Sequence, residues 1–386
     1  MRIVVAGSVA LTATVVPVFL TGALSGRIGD DLGFGSGAAG AAVAAMFVGG
    51  GLFAVPMGRV TERIGPTAAI RTGAVISAVA ALVIAGLVTS WWQLTLVLFL
   101  AGSAIGLVDT GAARAFDDAV PPTRHGIAFG AKEASVPAAS LAAGLSIPVL
   151  AEQLGWRWAF VGGALLAPLV LVLVPRLAAA PVAGPLGDAV GERRGPLLLF
   201  TVGVALGCGA ATAASTLLVP AIEDRGWREA DAGLLLALAS AASIAVRLGA
   251  GGRGDRRPAS TWAMVGILLT VGAAGAVLLA TTSAGPAGVV GAVAVIGGGW
   301  GWTGIAYQTA VRVGRDRPAA AAGLVLTGLS VGGAAGPAAF GAIASAASYS
   351  AAWATSAVAL LAGAVAILAS RQWLEPAAEP TVEHAR

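Results

Sequence analysis

The sequence has few charged side chains and very little cysteine or histidine. Charged residues make up 11% of its 386 residues, whereas soluble domains carry about 25%. The single cysteine, Cys208, excludes an intrachain disulfide. The two histidines, His125 and His384, lack metal-ligand spacing and are interpreted as loop residues. We therefore expect no metal, no cofactor and, because nucleophile, base and ligand do not cluster, no enzyme activity.

Apolar residues and glycine are abundant. Hydrophobic residues make up 57% of the chain, which also has 56 glycines, and the mean hydropathy is +0.88. A soluble fold of this size would need a more polar surface, and small residues let membrane helices approach closely. Although the net charge is +4, the arginines fall in short clusters between apolar runs rather than on one basic face, so nucleic acid is not an expected partner. The composition indicates an all-α integral membrane protein in contact with a lipid bilayer.

Twelve apolar runs are long enough to span a bilayer, which takes about 20 residues. The first is too long for the core of a signal peptide and is interpreted as a retained helix. Basic residues concentrate at alternate connections, and only four arginines fall on the opposite side, which predicts cytoplasmic N- and C-termini. The predicted spans are 3–25, 36–57, 67–88, 92–115, 124–150, 157–178, 196–220, 229–250, 258–282, 286–311, 318–345 and 349–370.

An internal repeat relates the two halves of the chain by a gapless shift of 193 residues. It aligns Gly33 with Gly226, Gly40 with Gly233, and segment 58–63 with segment 251–256. A repeat of this kind predicts two pseudo-symmetric six-helix bundles with a site at their interface, which is typical of secondary transporters. We expect bundles at 1–178 and 196–370, a central cytoplasmic linker at 179–195, and a cytoplasmic tail at 371–386.

The segment between the second and third spans carries a recognisable motif. GRVTERIG, at 58–65, resembles the loop signature of the major facilitator superfamily, Gly-x-Leu-Ala-Asp-Arg-x-Gly, and GGRGDRR, at 251–257, stands where that family has a degenerate second copy. The resemblance extends over essentially the whole chain. It implies twelve helices, alternating access around a central cavity, and a cytoplasmic gate that locks in the outward-open state. A simple positive-inside loop is the alternative interpretation of the motif.

Several residues match the gate motif or could contact it. The family aspartate is replaced by Glu62, and Pro66-Thr67 stands where basic residues are usual; the fifth span also lacks the Gly-Pro signature of many drug antiporters. A gate arginine can bridge to an acid on a neighbouring helix, and two aspartates end the fourth span. The predicted gate residues are Gly58, Glu62, Arg63, Gly65, Asp117, Asp118, Gly251, Asp255 and Arg256.

Four ionisable residues lie within the predicted spans or close to their ends. A charged side chain inside the bilayer costs free energy, and such residues commonly have a function. Counted from the turn at Pro121, residues Asp109, Lys132 and Glu133 share one depth, and Arg114 is shallower. Lys132 and Glu133 point about 100° apart on a helix, so we predict an Asp109–Lys132 pair, with Glu133 lining the cavity or taking another partner. The repeat does not duplicate these charges in the second half. This favours a role in substrate binding or proton coupling over a charge cluster that is structural and confined to one half.

The tenth span is a second candidate surface. GGGWGWTGIAYQTAV, at 297–311, places four polar-tipped side chains among glycines near the middle of the bilayer: Trp300, Trp302, Tyr307 and Gln308. The resemblance implies that this helix lines the cavity. Ordinary helix packing explains the same pattern, so both interpretations stay open.

The sequence thus predicts a secondary active transporter in the cell (inner or plasma) membrane that crosses it many times. We expect a monomer that moves a small organic solute, with protons as the coupling ion because a Walker nucleotide-binding motif is lacking. An anion is favoured, since Lys132 could attract one. The alternative is a proton antiporter that exports a hydrophobic drug or metabolite.

Overall fold

The fold is almost wholly helical. The computed structural model describes residues 2–121, 125–175, 194–257, 260–282, 285–313 and 318–374. Within them, twelve helical segments are long and apolar enough to cross a membrane, which confirms the predicted all-α fold with twelve spans. The predicted linker, up to residue 193, and the tail beyond residue 374 lie outside the described residues.

The first six spans are built from ten α-helices and one π-helical turn. They are α1 (Arg2–Ala23), α2 (Ser25–Leu32), α3 (Ser36–Ile64), α4 (Pro66–Gly86), α5 (Trp91–Ala119), α6 (His125–Glu133), α7 (Ser135–Ser146), the π-turn Ile147–Ala151, α8 (Glu152–Leu154), α9 (Trp156–Ala164) and α10 (Leu166–Leu173). The last six spans are α11 (Arg194–Glu223), α12 (Glu229–Arg256), α13 (Thr261–Thr281), α14 (Pro286–Gly301), α15 (Thr303–Val313), α16 (Pro318–Ala346) and α17 (Tyr349–Leu374).

Proline explains two breaks within spans. Pro137 has no N–H to donate to the carbonyl of Glu133, and α6 ends at Glu133. In the sixth span Pro168 likewise lies four residues after Ala164, where α9 ends. The break falls at Ala134, between α6 and α7. The break therefore ends α6 directly after its two buried charges.

The tenth span also breaks, without a proline. Helix α14 ends at Gly301, Trp302 has φ −89° and ψ −17°, and α15 begins at Thr303. Four glycines in the segment 297–301 weaken the helix before this point, since glycine costs about 1 kcal/mol relative to alanine. The predicted span at 286–311 is confirmed by a candidate span at Pro286–Ala310, and the break at Trp302 lies within it.

Contacts between helices follow the internal repeat. A Cβ on Gly40 of α3 would lie 2.3 Å from the carbonyl oxygen of Pro337 in α16, and one on Gly233 of α12 would lie 2.7 Å from that of Gly144 in α7. Gly40 and Gly233 are related by the 193-residue shift, and so are Gly144 and Pro337. The two contacts are thus pseudo-symmetric equivalents that need glycine for close backbone approach.

The two ends of the helix bundle differ. We call the end that carries segments 58–65 and 251–257 the motif end, and the end that carries Gly33 and Gly226 the turn end. Both of these glycines are left-handed, with φ 74° and 85°. At the turn end Ser36 and Ser345 hydroxyls lie 2.8 Å apart, linking α3 to α16, and Arg27 pairs with Glu229.

The described residues of the motif end make fewer such contacts. A Cβ on Gly58 would meet no described atom within 4 Å, and Glu62, Arg63 and Arg256 are exposed. Among the described residues, the contacts that link the two halves through Ser36 and Arg27 thus lie at the turn end.

Gly40→Ala should weaken closure of the turn end, because the new Cβ would overlap the carbonyl of Pro337. Ser36→Cys and Ser345→Cys, introduced in a Cys208→Ala background, report closure through the yield of their disulfide. If the substitution disfavours the closed form by about 1 kcal/mol, the equilibrium constant for closure falls about fivefold, and the disulfide yield should fall with it.

Gly249→Ala is the matched control, because a Cβ on this glycine of α12 meets no atom within 4 Å. It should leave the cross-linking yield unchanged. Equal yields for Gly40→Ala and Gly249→Ala would contradict the importance of the α3–α16 contact.

Candidate functional site

The buried lysine has the partner that the sequence predicts. The Lys132 ammonium lies 2.5 Å from Oδ1 of Asp109, and the lysine is only 2% exposed. Asp109 belongs to α5 and Lys132 to α6, so the pair joins two helices that meet at the Pro121 turn. The predicted inter-helix pair is confirmed. A short, charge-assisted contact of this kind stabilises both charges away from water.

Glu133 lies between two cations. Its Oε1 is 3.5 Å from the Lys132 ammonium, and its Oε2 is 3.8 Å from a guanidinium nitrogen of Arg247 in α12. Glu133 is 6% exposed and Arg247 is 2% exposed. The charges of Asp109, Lys132, Glu133 and Arg247 sum to zero when all four are ionised. We call these four residues the charge cluster.

Two aromatic rings cover the cations of the charge cluster. The Lys132 ammonium lies 5.5 Å from the centre of the Tyr307 ring, and the Arg247 guanidinium carbon lies 5.2 Å from the Trp300 ring. Trp300 is fixed in turn, because its Nε1 donates a 2.7 Å hydrogen bond to the Ser215 hydroxyl. These distances are within the range of cation–π attraction.

A cavity of about 110 Å³ borders the charge cluster. Asp109 and Glu133 reach it, whereas Lys132 and Arg247 are not among its lining residues. The wall is mainly apolar and is formed by the first, second, fourth, fifth, seventh, tenth and eleventh spans. Its lining residues are Leu11, Val15, Phe47, Gly50, Ala54, Ile105, Gly106, Asp109, Thr110, Glu133, Val136, Cys208, Trp300, Tyr307, Leu326, Leu329 and Ser330.

Comparison with protein families agrees with this architecture. A family model for the Major Facilitator Superfamily matches residues 3–312, and a second match to the same model covers residues 208–386. The chain belongs to the major facilitator superfamily. It is therefore a multi-pass membrane protein and a secondary transporter of a solute. A search of curated proteins finds no significant match.

The tenth span contributes to the major facilitator cavity with some of its predicted residues. Trp300 and Tyr307 line the cavity, whereas Trp302 and Gln308 are not among the lining residues. Trp302 is fully buried and its Nε1 donates to the carbonyl of Gly299 at 2.6 Å. The carboxamide of Gln308 lies against Gly254 of α12. Trp300 and Tyr307 are seven residues apart and so share one helix face, whereas Trp302 lies about 200° around the helix from Trp300.

The remaining predicted residues lie nearer the motif end. Arg114 is half-buried and is not among the residues that line the cavity. Glu62, Arg63 and Arg256 form no ion pair with another described residue. The side chains of Asp117, Asp118 and Asp255 lie outside the described residues. Gly65, with φ 80°, ends α3 before Pro66 starts α4, a conformation that favours glycine.

Arg247 is the functional candidate that sequence reasoning missed. It follows the apolar segment SAASIAV of the predicted eighth span and was counted with the basic residues of the inner side. The structure instead buries it against Glu133 and Trp300. The repeat could have pointed to this residue. The equivalent of Arg247 in the first half is Ala54, so this charge occurs in only one half of the chain, as do the charges of Lys132 and Glu133.

Proposed function

We propose that this transporter couples protons to the movement of a small organic solute, with Glu133 as the proton site. The supporting observation is that Glu133 alone in the charge cluster contacts two cations, at 3.5 Å and 3.8 Å, while also bordering the cavity. Asp109 also borders the cavity, but its carboxylate is held by Lys132 at 2.5 Å. Of the two carboxylates that border the cavity, Glu133 thus has the longer contacts with its cationic partners.

The charge balance supports an anionic solute. When Glu133 binds a proton, the charge cluster changes from neutral to one net positive charge. Net charge is costly inside a membrane, and an anionic group of the solute would neutralise it. Proton and anion would then cross together, with little net charge on the loaded site.

The apolar wall favours a second candidate, the export of a hydrophobic drug or metabolite by proton antiport. Leu11, Val15, Phe47, Ile105 and Leu329 all line the cavity. An uncharged solute would fill this space without contacting Lys132 or Arg247. The two candidates differ in the direction of the proton relative to the solute.

We further propose that the motif end faces the cytoplasm, in a cell membrane, and that the chain works as a monomer of two six-helix halves, 1–178 and 196–370. Exposed arginines at that end, including Arg63, Arg253 and Arg256, support the orientation.

Solute-driven proton movement tests the proposal. In proteoliposomes that contain a trapped pH dye, external benzenesulfonate, a permanently ionised anion with an apolar body, should acidify the interior by symport. Liposomes without protein are the control. Alkalinisation by a hydrophobic dye, without a response to the anion, would favour the antiport alternative. Saturable solute uptake with no change of internal pH would contradict proton coupling.

A further inference from the structure

Arg247 is buried, and within the described part of the chain its donors are unused. It is 2% exposed, and neither its Nε nor its two terminal nitrogens has a hydrogen-bond partner among the described residues. The nearest carboxylate oxygen, on Glu133, is 3.8 Å away, which is beyond hydrogen-bond distance. A guanidinium presents five N–H donors in a planar fork, so this arrangement leaves several buried donors without an acceptor.

Two hydroxyls on the same helix are also unused. Ser243 lies four residues before Arg247, and Ser240 lies three residues before Ser243, so all three share one face of α12. Both serines are fully buried, and neither hydroxyl has a hydrogen-bond partner among the residues that the structure describes. Hydroxyls in membrane helices commonly donate to their own backbone, as Thr212 does at 2.8 Å in α11. The α12 serines do not, so the helix face that carries Arg247 also carries two unused hydroxyls.

The unused donors lie directly behind the cavity wall. Glu133 and Trp300, the two groups in contact with Arg247, both line the cavity. Lys132, in contrast, has its ammonium against Asp109 at 2.5 Å. An acceptor that took the place of the Glu133 carboxylate would lie near both cations, but Lys132 would keep Asp109, whereas Arg247 has no other carboxylate within 4 Å among the described residues.

We propose that Arg247, assisted by the Ser243 hydroxyl, is the recognition site for the anionic group of the solute. This inference rests on the proposed function and corrects the expectation that Lys132 attracts the anion. The ligand is an organic oxyanion, a carboxylate or sulfonate, with an apolar body that fills the cavity. Its two oxygens accept bidentate hydrogen bonds from the guanidinium after Glu133 binds a proton and gives up Arg247.

The groups that surround Glu133 define this exchange. They are Lys132 on its own helix, Asp109 on α5, Cys208 on α11, Arg247 on α12 and Tyr307 on α15. Protonation of Glu133 removes the negative charge nearest to Arg247, while Asp109 continues to neutralise Lys132. The site for the anion is therefore created at Arg247 specifically.

Binding of matched anions and neutral analogues tests the inference. Binding of benzenesulfonate and benzenesulfonamide, and of hexanoate and hexanamide, is measured on the purified full chain in nanodiscs by thermal shift and tryptophan fluorescence. Each anion should bind at least about tenfold tighter than its amide, since charge-assisted bidentate hydrogen bonds are strong. Glu133→Gln should bind benzenesulfonate more tightly at neutral pH, because Arg247 loses its competing carboxylate.

The double variant Arg247→Gln/Glu133→Gln removes both charges, so no unpaired carboxylate is left to prevent folding. It should lose the preference for the anion, whereas Arg253→Gln, an exposed arginine on the same helix, should keep it. An undiminished preference in the double variant, or equal binding of anion and amide by the parent protein, would overturn the inference.

These outcomes separate the inference from the proposed function. If the parent prefers anions through Arg247 but shows no proton flux, proton coupling fails and the anion site stands. If proton flux depends on Glu133 but the double variant still prefers the anion, the anion site fails and the coupling stands.

Discussion

Glu133→Gln should abolish accumulation of the solute driven by a proton gradient, while exchange of solute across the membrane continues. At one proton per solute, a gradient of about two pH units supports up to about 100-fold accumulation, since each unit corresponds to about 1.4 kcal/mol. Glutamine resembles glutamate in shape but carries no exchangeable charge. Accumulation should therefore fall to the equilibrium value, measured as the internal-to-external ratio of labelled solute in proteoliposomes.

The control for this prediction is Glu152→Gln. Glu152 is exposed and lies at the far end of the same span, so its neutralisation should leave accumulation unchanged. Counterflow without a pH gradient shows that the Glu133→Gln protein still binds and moves the solute. Full accumulation by Glu133→Gln would rule out this residue as the proton site and would direct attention to Asp109.

Asp109→Ala should strongly destabilise the protein, because it removes the 2.5 Å partner of a lysine that is only 2% exposed. Loss of one partner from a buried ion pair costs about 3–5 kcal/mol, since the other charge is left without compensation. The 3.5 Å contact with Glu133 will offset part of this cost. The expected effect is a marked fall in the thermal unfolding midpoint and in the yield of monodisperse protein.

A double variant and a surface pair make this prediction specific. Asp109→Asn/Lys132→Gln leaves no uncompensated charge and should recover most of the stability. Asp231→Asn breaks the exposed Arg228–Asp231 pair, whose groups are 3.9 Å apart, and should cost less than about 1 kcal/mol. Equal losses for Asp109→Ala and Asp231→Asn would contradict a stabilising buried pair.

The sequence by itself determined the fold and part of the charge cluster. Twelve apolar runs and a scarcity of charge leave few folds other than a helical membrane bundle, because backbone groups must be satisfied within each span. The gapless repeat placed Gly40 and Gly233 in equivalent positions, and the structure gives them equivalent contacts. The Asp109–Lys132 pair followed from depth alone, because a helical hairpin brings residues equally far from its turn to one level.

The tertiary structure alone decided which groups meet across the two halves. Depth within a span says nothing about rotation around the helix axis or about which distant helix lies opposite. The Arg247–Glu133 contact, between residues 114 positions apart in the chain, depends on both. Likewise, the packing of the tenth span decided that Trp300 and Tyr307 line the cavity while Trp302 and Gln308 lie outside its lining. Helix packing fixed these positions, because close backbone contacts at glycines set the helix rotations, and no local pattern in the sequence encodes them.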